Sequence, residues 1–252
     1  MEQDLEFLIE TLFKERGETP PTVDKYPDRW SLFRSLVNVR APKAISGEFL
    51  TRQDEVLQTL IAKRGVADIE DLAPVRDNIC LWRGDITALK ADAIVNAANS
   101  GMLGCFVPCH SCIDNVIHTY AGVQLRLECA KIMEKQGFPE PTGQAKLTAA
   151  YNLPSKYILH TVGPIISGKV TDGDRRLLAS CYRSCLETAR KNNIESVAFC
   201  CISTGAFHFP KEDAARIAID TVSAFPKAGD FKRIVFVVFT EEDASIYATY
   251  IP

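Results

Sequence analysis

The stretch CLWRGDITALKADAIVNAANSGMLGCFVPCHSCIDNVIHTYAG, residues 80–122, decides how the chain folds. A strand-like apolar run at 79–82 leads into Gly84-Asp85-Ile86-Thr87, and a second run at 91–98 ends in Asn99-Ser100-Gly101. A loop with three cysteines and one histidine follows. Then Ile113, Val116, Ile117 and Tyr120 recur at helical spacing until Gly122 stops the segment. Proteins of the α/β class build ligand sites from this succession of strand, polar loop and helix, at the carboxyl ends of their strands.

Outward from this stretch, strands and helices alternate to the end of the chain. Apolar runs predict strands at 79–83, 92–97, 145–150, 157–162, 194–202 and 232–239. Helical spacing predicts helices at 113–121, 123–136, 175–191, 210–225 and 241–250. The run 234–239 is continuously apolar, as in a strand buried on both faces. Pro210 suits the first position of a helix, and Thr240 with Asp243 forms a capping pair. The expected architecture is α/β: a three-layer α/β/α sandwich around a mostly parallel sheet.

The first 75 residues read differently. Leu5, Leu8, Ile9, Leu12 and Phe13 mark an amphipathic helix that ends near Gly17 and is broken by Pro20-Pro21. Trp30, Phe33, Leu36 and Val37 form a second stripe, and Phe49, Val56, Leu57, Leu60 and Ile61 a third that stops at Gly65. A helical turn around Ile69 and Leu72 then reaches Pro74. Residues 1–75 are therefore expected to be an N-terminal helical extension without strands, and 76–252 the main domain. The extension would cover a flank of that domain as a stabilising layer, or offer a surface to a protein partner.

Bulk composition narrows the function classes. The 252 residues are 46% hydrophobic and 24% charged, an ordinary globular balance, with a net charge of −3. An acidic balance with no basic stripe argues against nucleic acid as a partner. No apolar run is long enough to cross a bilayer, and the acidic start MEQDLEFLIE lacks the basic lead of a signal peptide, so no membrane partner and a cytoplasmic location are expected. The nine cysteines are an odd count, against a disulfide framework. Cys80, Cys129, Cys181, Cys185, Cys200 and Cys201 fall in apolar patterns and read as small buried hydrophobes.

The remaining three cysteines crowd beside His110. Cys105, His110 and Cys112 give C-x4-H-x-C, with Cys109 a fourth donor. Structural zinc sites usually close with four protein ligands, often as two separated pairs, and no second pair is present. Three ligands from one loop would leave zinc a fourth position for water or substrate. The competing reading is a loop of adventitious thiols. Ser203-Thr204-Gly205-Ala206-Phe207 lies between a strand and a helix start, where backbone N–H groups can close around an anion; alone, it is more often a plain turn. Asp85 can accept from an exocyclic amine or cap a helix. Asp114 can accept a proton, orient water, or simply favour the helix dipole. His118 and His160 read as core histidines, and His208 has no assigned role.

These motifs, in order, resemble the macrodomain family, which binds ADP-ribose. The matching segments are GDIT at 84–87, DAIVNAANS at 92–100, Ile117-His118, TGQA at 142–145, YNLP at 151–154, HTVGP at 160–164 and ISTG at 202–205. Where hydrolytic macrodomains usually carry a run of glycines, this chain has Gly104 to Cys112, which looks like the zinc-dependent subgroup. The resemblance implies that Asp85 holds the adenine amino group, with Ile86 beside it. It puts the diphosphate in the loop of Ser203, Thr204, Gly205 and Ala206, with Phe207 walling the ribose side. Asn99 would take hydroxyls of the distal ribose, Asp114 would handle the proton, and Ile113 and Asn115 would line that pocket. One Zn2+ per chain, on Cys105, His110 and Cys112, would activate water or polarise an oxygen at the scissile bond. The implied function is removal of mono-ADP-ribose from modified protein side chains, by cleavage of a glycosidic or ester bond, with Asn99 and Asp114 catalytic. The alternatives are a non-catalytic ADP-ribose reader and an O-acetyl-ADP-ribose deacetylase.

Overall fold

Arg233–Val238 forms a strand in which Ile234, Val235, Phe236 and Val238 are no more than 1% exposed. Burial on both faces is what a central parallel strand between helical layers requires. The computed structural model describes residues 1–21, 28–226 and 228–251. Its elements begin with α1 (Glu2–Glu15), α2 (Arg29–Val39) and α3 (Gly47–Arg64). There follow β1 (Ala67–Asp68), β2 (Ile79–Arg83), β3 (Leu89–Lys90), β4 (Ala93–Ala98), α4 (Ile113–Ala121) and α5 (Val123–Gln136). The last part holds β5 (Ala145–Ala149), β6 (Tyr157–Val162), α6 (Asp172–Lys191), β7 (Ser196–Phe199), α7 (Lys211–Ser223), β8 (Arg233–Val238) and α8 (Glu241–Tyr250).

Six strands make one sheet in the order β2-β8-β7-β4-β6-β5. All neighbours are parallel except the edge strand β5, which runs antiparallel to β6. The mostly parallel sheet expected from the alternation is present, and antiparallel β5 makes it the mixed sheet of a macrodomain-like sandwich: α4 packs on β4 and α5 on β5, while α6 packs on β5 and β6 and α8 on β2. No helix among the described residues is long and apolar enough to cross a membrane.

Several boundaries move, each for a local reason. Helix α6 starts at Asp172 because Thr171 and Asp174 close a reciprocal capping box. Strand β7 stops at Phe199, so residues 200–202 open the following loop rather than extend the strand. Pro210 caps α7 from outside instead of starting it. Strand β8 ends at Val238 and leaves Phe239 free of the sheet. The first 75 residues, where only helices were expected, also contain the short strand β1, which pairs in parallel with β3 further along the chain.

Helices α1–α3 share a cluster of their own that includes Leu8, Leu12, Phe33 and Phe49. Phe33 and Phe49 are at most 1% exposed, each burial stabilising by about 1.5–3 kcal/mol. The layer is joined to the main core: Ile61 of α3 belongs to the central cluster, and both α2 and α3 pack on α4.

Candidate active site

Parallel strands end on the same side of the sheet, so the loops after β2, β4 and β7 gather along their carboxyl ends. After β2, Asp85 caps the short turn Ile86–Ala88. Its Oδ1 accepts from the Thr87 N–H at 2.9 Å, and its Oδ2 pairs with Arg64 of α3 at 2.8 Å. The Arg64 guanidinium in turn lies 3.7 Å from the centroid of the Tyr120 ring. Asp85 borders an open hollow of about 400 Å3, lined also by Arg64, Trp82 and Ala88. Ile86 is buried under the turn. Phe239 neighbours this corner, because the Gly84 N–H donates to the Val238 carbonyl at 3.0 Å, and it is 77% exposed. Sequence reading placed Phe239 inside the last strand and so missed it. The signal was available: an aromatic directly before the Thr240 cap.

After β7, residues 200–207 form a tight loop. Ser203 adopts φ +67°, and its carbonyl accepts from the Phe209 N–H at 3.0 Å. The Gly205 carbonyl accepts from His208, and the Phe207 carbonyl from Ile166. The N–H groups of Gly205, Ala206 and Phe207 have no partner among the described residues, and Gly205 and Ala206 are exposed. Thr204 donates its hydroxyl to Cys201. Successive unpaired backbone donors of this kind are able to receive an anion. His208 is exposed beside it.

After β4 comes the metal-donor loop. Donor atoms of Cys105, His110 and Cys112 lie within 4.8 Å of one another, and Cys105 Sγ is 3.7 Å from His110 Nδ1. Tetrahedral zinc with ordinary bond lengths holds sulfur and nitrogen about 3.5 Å apart, so the triad fits the ion. Burial pushes the Cys112 thiol up to about 11, and the neighbouring Cys105 adds to the rise. Cys109 is exposed and turned elsewhere, its Sγ donating to the Ser31 carbonyl. Gly104 allows the loop to fold down, with φ +81° and a would-be Cβ only 2.7 Å from the His118 ring.

At the head of α4, Asn99 and Asp114 meet. Asn99 Nδ2 donates to Asp114 Oδ2 and to the Gly104 carbonyl, both at 3.0 Å. Asp114 Oδ1 accepts from Asn96 Nδ2 at 2.8 Å. Burial pushes the Asp114 carboxyl up to about 6, while the two asparagines and the charge of Arg126 pull it down. Asn96 also reaches His160 Nδ1, whose Nε2 contacts the Thr148 hydroxyl at 2.8 Å. Burial holds His160 down to about 3, so the imidazole is neutral. His118 is buried as well, 3.6 Å from Asp114 Oδ1. Ile113 opens α4, half-buried against the core. Asn115 is fully buried and its amide holds the loop, donating to the carbonyls of Cys105 and Val107. Asn96 escaped sequence reading, although one polar residue in an apolar strand is a usable signal.

Fold and site together define an α/β domain whose loops after β2, β4 and β7 carry Asp85, a Cys–His donor triad and a run of unpaired backbone N–H groups. The chain belongs to the Macro domain family, which it matches over residues 95–218. It is 54% identical to a protein-ADP-ribose hydrolase of Treponema medium over 96% of this chain and 95% of that one. It is 49% identical to a protein-ADP-ribose hydrolase of Staphylococcus aureus (strain MSSA476), over 96% and 93%. Among solved structures, a mutant Oceanobacillus iheyensis macrodomain with ADPR superposes with a TM-score of 0.65 at 37% identity, covering 71% of this chain and 95% of that one.

Proposed function

We propose that this protein is a hydrolase that removes ADP-ribose from modified protein side chains, and that its Cys105–His110–Cys112 triad holds zinc. The observation that carries the reading is one of position. The metal-donor triad and the Asn99–Asp114 pair belong to a single loop and helix start, at the carboxyl ends of the strands, where the unpaired N–H groups of residues 205–207 also lie.

In this reading Asp85 accepts from the adenine amine, and Phe239 stacks on the base. The N–H groups of Gly205, Ala206 and Phe207 bind the diphosphate, with Ser203, Thr204 and the Phe207 ring closing the loop around it. Ile86 and Ile113 supply apolar walls. Asn99 directs the distal ribose, and Asp114, ionised above its raised pKa, accepts the proton of the attacking water. Asn96 and neutral His160 hold Asp114 in position. Cys105, His110 and Cys112 would hold a zinc ion, which would supply Lewis-acid chemistry to the reaction.

The test is release of ADP-ribose from mono-ADP-ribosylated protein, before and after verified removal of metal, beside calorimetric binding of ADP-ribose. Hydrolysis that disappears with the metal and returns with zinc is expected. Undiminished hydrolysis of the metal-free protein would defeat the zinc reading. Tight binding without turnover would make the protein a reader, and cleavage of O-acetyl-ADP-ribose alone would make it a deacetylase.

A further inference from the structure

The metal-donor loop is not held by the macrodomain core alone. Two of its backbone groups and the Cys109 thiol are tied to α2, which lies more than 70 residues earlier in the chain. Arg34 Nη2 donates to the carbonyl of His110 at 2.7 Å and to Asn115 Oδ1 at 2.9 Å. Asn115 passes that hold on, since its amide donates to the carbonyls of Cys105 and Val107. Asn38, 1% exposed, accepts from the Cys109 N–H at 2.9 Å and donates to Thr119 of α4 at 3.0 Å. Behind them Arg126 of α5 donates to Leu103 of the loop and to the carbonyls of Val37 and Arg40, closing the same junction.

We propose that α2 is a brace for the metal-donor loop, with Arg34 and Asn38 as positioning residues that fix the backbone of His110 and Cys109. The proposal rests on the zinc reading above for its consequence, though not for its geometry. A planar guanidinium suits this role, because one rigid group bridges two acceptors at fixed angles, which an ammonium does not reproduce. Arg34 touches the two donor-bearing segments, directly at His110 and through Asn115 at Cys105, so its loss frees both. Groups that orient metal ligands commonly change metal affinity or activity by about 10–100-fold when removed. Among the described residues no hydrogen bond joins Arg34 or Asn38 to Asp85 or the 203–207 loop, so ADP-ribose affinity is predicted to be insensitive to the brace.

The experiment compares wild-type protein with Arg34→Met, Arg34→Lys and Asn38→Ala. Arg52→Gln, in the same helical layer but far from the loop, is the control; Arg52 pairs with Asp4 and Glu48. Hydrogen exchange of the 103–112 amides reads the loop without reference to metal. Chelator competition reads zinc retention, and calorimetry reads ADP-ribose affinity. For Arg34→Met the expected results are loop exchange and zinc loss each faster by about tenfold, with ADP-ribose affinity within about twofold of wild type. Asn38→Ala should act in the same direction, Arg34→Lys should fall between, and Arg52→Gln should change nothing. Loop exchange in Arg34→Met equal to wild type would overturn the brace, whatever the metal does. So would loosening matched by the control. A wild-type protein without zinc would defeat the reading of the metal site, while loop exchange still decides the brace.

Discussion

Asp114 carries the sharpest consequences at the scale of single residues. Its carboxyl is raised by burial to about 6, so below that pH the proton acceptor proposed here is lost. The activity profile should therefore fall on the acid side, by about tenfold per pH unit, with the limb at or below 6 because a nearby dication favours the charged form. Asp114→Asn should lower turnover by about 10²-fold or more and abolish that limb, while calorimetry finds ADP-ribose binding nearly unchanged. A surviving acid limb in the variant would assign the titration to another group. Phe239 makes a different prediction. Removing an exposed ring that stacks on a base costs about 1–3 kcal/mol, so Phe239→Ala should weaken ADP-ribose by roughly tenfold or more at nearly constant turnover. The two differ in legibility. Asp114 follows a recognisable ligand motif, whereas Phe239 sat in an apolar run that reads equally well as strand.

Elements explain why part of the site could be read in advance. The strand runs and helix stripes of 79–250 are set by local periodicity, and the observed boundaries differ from it by a few residues at caps and strand ends. Loops placed after β2, β4 and β7 follow from parallel topology once the alternation is recognised. What stayed hidden is side-chain traffic between distant segments: Arg34 to His110, Arg64 to Asp85, Asn96 to His160. No periodicity records such pairs, because each depends on how layers dock. The 203–207 loop offers a test of its backbone role. A Cβ on Gly205 would meet nothing within 4 Å, and the residue has no positive φ. Gly205→Val should therefore leave thermal stability close to wild type yet weaken ADP-ribose binding, since its side chain projects where the diphosphate is proposed to lie. A drop in melting temperature without a loss of affinity would contradict the anion role.

For the whole molecule, the question is how the helical layer and the sandwich depend on each other. The layer was legible as three amphipathic helices, but not its engagement with α4, nor the β1–β3 pairing that follows it. Removing residues 1–64 would uncover the α4 face, the Arg126 junction and the Ile61 side of the core. The truncated chain is expected to aggregate on size-exclusion chromatography, where full-length protein elutes as a discrete species. The proposed hydrolysis depends on a metal that meets the sugar end of a bound nucleotide. Cobalt substitution measures this most directly, since thiolate-bound cobalt absorbs in the visible and reports its own coordination. Titrating cobalt-loaded protein with ADP-ribose should shift that spectrum and saturate at one nucleotide per metal. A spectrum that stays fixed while calorimetry shows the nucleotide bound would contradict the account.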